Sequence, residues 1–164
     1  MSKPEKPEQL LLIVRIRGTV NVRRDMKATL GSLRLRRVHA ATLFKGEPNV
    51  LGALQSVKDL VAWGEVDEET LVRLLEKRSR LVGDRRVDQK YLKDRLGARD
   101  FEELAKSLLS LKADWSKLPG VKPFFRLSPP KSGYHVKLGR SRRGKSSIAG
   151  YLGREINGFV LRMI

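Results

Sequence analysis

An octapeptide at 139–146, GRSRRGKS, satisfies the phosphate-loop expression G-x-x-x-x-G-K-[ST] letter for letter. In that chemistry the loop amides cradle a nucleotide's phosphates while the Lys and the Ser reach phosphate and magnesium. It needs a buried strand before the loop and a long helix after it. The flanks supply neither: YHVKL is weakly apolar, SSIAGYLG holds two glycines, and only 18 residues follow the octapeptide. ATP hydrolysis is therefore not expected. The same residues suit a basic arm: Lys137, Arg140, Arg142, Arg143 and Lys145 lie in a stretch with no acid between residues 115 and 154. Their mutual repulsion is uncompensated within the arm, and Gly and Ser let the backbone approach phosphates closely.

Other chemistry is sparse. With no cysteine, disulfides, thiolate metal sites and cysteine nucleophiles are excluded together, and two histidines, His39 and His135, cannot build a zinc site unaided. His39 reads as a structural or RNA-facing residue beside Arg37, since no nucleophile or carboxylate pair accompanies it. Trp63 and Trp115 read as packing residues, and an aromatic fraction of 6% argues against a surface built on base stacking. No catalytic residue, metal ligand, cofactor or small-molecule substrate is expected.

The whole composition points the same way. A chain of 164 residues with 40% hydrophobic content has enough apolar material for one core of ordinary size. A net charge of +17 exceeds what solubility calls for and suits a polyanionic partner. The charge is uneven: 12 Lys and Arg face 6 acids in residues 1–66, 13 face 11 in 67–121, and 10 face 1 in 122–164. No stretch is long and apolar enough for a membrane span, and MSKPEKPEQ does not resemble a secretory signal, so a cytoplasmic protein is expected.

The elements that would position these charges follow from periodicity. LLLIVRIR at 10–17 reads as a strand with Leu12, Val14 and Ile16 on one face and Arg15 and Arg17 on the other. Asp25 is a plausible cap for a helix through Met26, Leu30 and Leu33. RRVHAATLF at 36–44 alternates as a second strand, Pro48 opens a second helix, and VAWGEV at 61–66 is a third strand. The order is β-α-β-α-β. Helices are then expected from Asp67 with a stop at Gly83, from Asp88 to Gly97, and from Asp100, whose spacing to Glu103 is that of a capping box. A strand fragment, a basic loop and an amphipathic terminal helix through Ile156, Phe159, Val160 and Met163 close the chain. The expected fold class is α+β: a small, mainly antiparallel three-stranded sheet with two helices on one face, ferredoxin-like, followed by a helical region and a basic C-terminal extension. The corresponding segments are 1–66, 67–118 and 119–164.

RIRG at 15–18, LGSLRLRRVHAATLF at 30–44, LGALQSVKDLVAWGEV at 51–66 and RLSPPKSG at 126–133 together resemble the large-subunit ribosomal protein family called L-thirty in archaea and L-seven in eukaryotes, in its archaeal form. The resemblance implies a structural constituent of the large ribosomal subunit. It implies large-subunit ribosomal RNA as partner, with 5S RNA close by and other ribosomal proteins as neighbours. By motif match it implies RNA contacts at Arg15, Arg17, Gly18, Arg36, Arg37, Pro129, Pro130, Lys131 and Gly133. Ser132 and Tyr134 depart from the family pattern. The rival reading is a free-standing helix-turn-helix DNA binder built on residues 88–110, whose two short helices have the right lengths.

Overall fold

The computed structural model describes residues 9–131, 133, 134 and 148–164. Its centre is β1 (Leu10–Arg15), every residue of which is buried. A strand of continuous aliphatic residues rather than strict alternation is what a sheet covered on both faces requires. β2 (Ala40–Lys45) and β3 (Val61–Glu65) flank it antiparallel, with Ile13 opposite Thr42 on one side and Trp63 on the other. Two short strands extend the sheet. β4 (Phe125–Arg126) pairs antiparallel with β2, β5 (Gly150–Tyr151) pairs parallel with β3, and the order is β4-β2-β1-β3-β5. The sheet thus has five strands instead of three, because residues far along the chain satisfy the edges that a β-α-β-α-β unit leaves open.

Helices α1 (Arg24–Ser32) and α2 (Pro48–Ser56) cover one face, burying Leu30, Leu33, Leu54 and Val57 against Leu11, Ile13, Val61 and Trp63. The other face is covered too, contrary to the one-sided packing expected. Leu12, Val14, Leu43 and Ala62 lie in one apolar cluster with residues of α3 (Glu68–Arg78), α5 (Phe101–Leu109) and α6 (Glu155–Leu161). That cluster draws on all three segments of the chain, from Leu12 through Leu71 and Leu104 to Phe159.

Local details depart from expectation in instructive ways. α1 begins after Arg23, so Asp25 sits in the first turn, where a carboxylate meets the positive end of the helix dipole, and does not cap it. α3 ends at Arg78, and Gly83 instead turns a tight loop closed by a bridge between Arg80 and Arg86. The helix after Asp88 is only α4 (Gln89–Tyr91), running into a π-helical turn at Leu92–Leu96 that Gly97 stops in the left-handed region. At α5, Glu103 accepts from the Arg99 amide, one residue earlier than a capping box would have it. β2 starts at Ala40 rather than Arg36, and residues 34–39 form a turn with Arg34, Arg36 and Arg37 exposed and Leu35 buried.

Candidate nucleic-acid interface

The turn at 34–39 is shaped by the end of α1. The Leu35 amide donates to the Leu30 carbonyl at 2.8 Å and the Arg34 amide to Gly31 at 3.0 Å, with Arg34 at φ 60. This is the Schellman arrangement, which turns the chain back on itself and seats the residue after the turn against the helix's last apolar position. Leu30, Leu33 and Leu35 are accordingly buried while Arg34, Arg36 and Arg37 are exposed. Arg36 and Arg37, expected to begin the second strand, therefore follow a helix cap and precede β2.

Arg15 holds this turn in place. It is 2% exposed, and its Nη1 donates to the Leu35 and Arg36 carbonyls at 2.8 Å each while its Nε donates to the Arg17 carbonyl at 2.9 Å. No carboxylate pairs with it among the described residues. Burial lowers its pKa from the ordinary value. Expected as a direct RNA contact, Arg15 instead spends its donors on backbone carbonyls and joins the two loops that carry exposed Arg17 and Arg36. In β1 its position falls on the face of Leu11 and Ile13, which α1, α2 and the turn after α1 cover.

His39 follows at φ 65, outside the strand in which it was expected. Its amide donates to the Arg15 carbonyl at 2.8 Å, its own carbonyl accepts from the Leu127 amide at 3.0 Å, and its Nε2 meets the Tyr134 hydroxyl. Burial lowers the imidazole's pKa and raises that of the Tyr134 phenol, so a neutral imidazole accepting the phenolic proton is the natural pairing. Through these bonds the second group of expected contacts is brought beside the first. Pro129 and Lys131 are exposed there, but Pro130 is buried: its carbonyl accepts from the Gly133 amide, and the Lys131 amide bonds the Arg162 carbonyl at the end of α6. Arg78 ties the same segment down, with Nη2 on Ser128 Oγ at 2.6 Å and on the Ile164 carbonyl oxygen at 2.7 Å. Arg17 and Gly18 are exposed at the end of β1. Lys137, Arg140, Arg142, Arg143 and Lys145, with the phosphate-loop expression, lie outside the described residues.

Between the 34–39 turn and β4 lies a cleft of about 450 Å³ whose lining includes Arg34, Arg36, Arg37, Arg126, Phe124 and Leu127. Sequence reasoning passed over Arg34, Phe124 and Arg126. Arg34 read as a helix-end cation, and nothing local shows that residues some 90 positions apart share one edge of a sheet. On α3 and α5, by contrast, exposed acids have basic partners: Glu69 pairs with Arg73 and Glu68 with Lys106. Among the described residues no cluster of His and acids could hold a metal ion, and no helix is long and apolar enough to cross a membrane.

Comparison with known proteins agrees with this picture. Residues 11–61 match the model of a family described as ribosomal protein L30p/L7e. Over 156 residues the chain is 42% identical to the large ribosomal subunit protein uL30 of Thermofilum pendens, covering 94% of this chain and 99% of that protein. The uL30 proteins of Nanoarchaeum equitans and Archaeoglobus fulgidus are 40% and 41% identical over 155 and 154 residues, each covering 94% of this chain and 99% of the relative.

Proposed function

The chain belongs to the ribosomal protein L30p/L7e family, and from that premise we propose that it is a structural, non-catalytic constituent of the large ribosomal subunit that binds large-subunit RNA in the neighbourhood of 5S RNA. The observation that carries the RNA-binding part is the set of exposed arginines at one end of the sheet: Arg17, Arg34, Arg36 and Arg37, on backbone held by the Arg15 guanidinium and the α1 cap, with Arg126 of β4 beside them. Exposed guanidinium groups suit phosphate oxygens, which they meet bidentately; of these five only Arg126 has a carboxylate in ion-pair range among the described residues, Asp84 at 3.9 Å. Gly18, His39, Pro129, Lys131 and Gly133 add contacts to the same RNA, and the cations from Lys137 to Lys145 add phosphate contacts. Pro130 shapes the turn from beneath. Neighbouring ribosomal proteins meet the remaining surface, and the protein works in the cytoplasm.

The helix-turn-helix reading loses its support. α4 spans three residues, and α5, which would have to enter a groove, buries Leu104, Ala105 and Leu108 in the core and exposes Glu102 and Glu103. Those acids would face phosphates. The test of the ribosomal reading is co-sedimentation of the tagged protein with large subunits through a high-salt wash. Retention on 50S-type particles is expected, and recovery only in the free-protein fraction would overturn it.

A further inference from the structure

The cleft beside β4 has two properties that a surface for phosphates alone does not need. Its floor is apolar, with Leu127 buried and Phe124 half-buried, and it presents a flat ring among four guanidinium groups. The guanidinium carbon of Arg126 lies 5.9 Å over the centre of the Phe124 ring. That gap is longer than a close stack and falls just short of the two stacking steps, about 3.4 Å each, that a planar group placed between them would occupy. The Arg126 side chain is more than half exposed, and opening the gap costs it only solvent-exposed contacts, with the Phe124 ring and with Asp84. Its nearest carboxylate, Asp84, is 3.9 Å away and is held by Lys122 at 2.6 Å. A volume of about 450 Å³ is that of a small-ligand site.

We propose that the cleft takes one unstacked RNA nucleotide, its base between Phe124 and Arg126 and its flanking phosphates on Arg34, Arg36 and Arg37. Unpaired bases splayed onto aromatic rings and guanidinium planes are the usual targets of RNA recognition. One ring is enough for a single base, which fits the low aromatic content. The inference rests on the RNA-binding reading above and adds to it the mode of recognition. Every base has a π-face, so the site accepts any of the four.

The experiment measures binding of the full-length protein to a fluorescent single-stranded hexaadenylate and to the same backbone without bases, each across a salt titration, with isolated large-subunit RNA as a third probe. Stacking of one base gives an affinity about 5- to 150-fold higher for hexaadenylate than for its abasic counterpart. Phe124→Leu abolishes that difference and leaves the salt slope unchanged, because the phosphates keep their arginines. Arg126→Lys changes an exposed side chain, keeps the charge and removes the plane; it reduces the preference even if Phe124→Leu proves unstable in a thermal melt. Equal binding of the two hexamers, or binding of large-subunit RNA without measurable binding of hexaadenylate, overturns the base site and leaves the RNA-binding reading standing. Failure to bind any of the three at low salt overturns both.

Discussion

Arg15 carries its charge into the interior, yet the three carbonyls around it belong to the loops that display charge outside. Its planar fork is what lets one side chain hold three acceptors at once, and a lysine ammonium cannot reproduce that geometry. Arg15→Lys is therefore expected to lower stability by about 2–3 kcal/mol, the scale of losing charge-assisted bonds in a buried site, and to free the 34–39 turn. Urea unfolding measures the first effect; the rate of tryptic cleavage after Arg36 and Arg37 measures the second. An unchanged cleavage rate would show that the turn is held by the α1 cap alone. His39 has a different dependence. Burial holds its folded pKa below the ordinary value of 6.5, so the unfolded chain binds the proton more readily. Its contribution to stability is complete above about pH 6.5 and is lost as pH falls through that value toward the lowered folded one. Between pH 7.5 and 5.5, unfolding free energy should decline in the wild type and decline less in His39→Gln.

Two elements owe their placement to backbone geometry. Arg34 sits in the left-handed region at the end of α1, a position that favours glycine, so Arg34→Gly relieves strain while giving the unfolded chain more freedom. The two effects are each about 1 kcal/mol and opposed, which predicts a melting temperature close to wild type with weakened binding to large-subunit RNA. A loss of fold instead of a loss of binding would contradict the cap assignment. β3 makes the opposite demand at Gly64, where an added Cβ would lie 1.9 Å from the Gly153 carbonyl oxygen, a backbone atom with little room to yield. Because the Leu152 amide also bonds the Trp63 carbonyl at 2.8 Å, Gly64 is where the chain before α6 presses against the sheet. Gly64→Ala should cost at least about 2 kcal/mol and expose amides of residues 148–164 to hydrogen exchange ahead of β1, at the upper range of overpacking effects.

Over the whole molecule, arginines gather at one end of the sheet, and five cations lie between residues 137 and 145 with no acid among them. Affinity for a polyanion should therefore be steeply salt-dependent. Replacing Lys137, Arg140, Arg142, Arg143 and Lys145 by glutamine leaves Tyr134 on His39 and the Lys131 amide on Arg162, so the fold should survive. If four of the five contact phosphate, the slope of log K against log salt falls by about 3, at about 0.7–0.9 per neutralised phosphate. A salt titration of both proteins on large-subunit RNA decides it, and equal slopes would assign these charges to solvent.

Much of this was legible in the residues themselves. Apolar spacing located β1, α2, β3 and α6, because the 2.0 and 3.6 periods are set by local geometry. Net charge and its concentration toward the C-terminus pointed to a polyanion, since charge is additive and needs no fold. The motifs from RIRG to RLSPPKSG carried the family. What the chain could not announce was pairing at long range: that Phe125 would lie beside Ala41 and Tyr151 beside Trp63, completing five strands, and that α3, α5 and α6 would cover the second face of the sheet. Arg15 shares the other face with Leu11 and Ile13, and there the turn after α1, whose Leu35 and Arg36 carbonyls it meets, made it an internal clasp rather than a surface cation. LRLRR has the period of a strand and the function of a cap, a distinction made only by the Leu30 carbonyl to which the chain returns. The lone Gly64 inside a strand was a readable sign of close backbone approach, but its partner 89 residues away belongs to the tertiary structure, where contact depends on how the elements pack and not on the order in which they are strung.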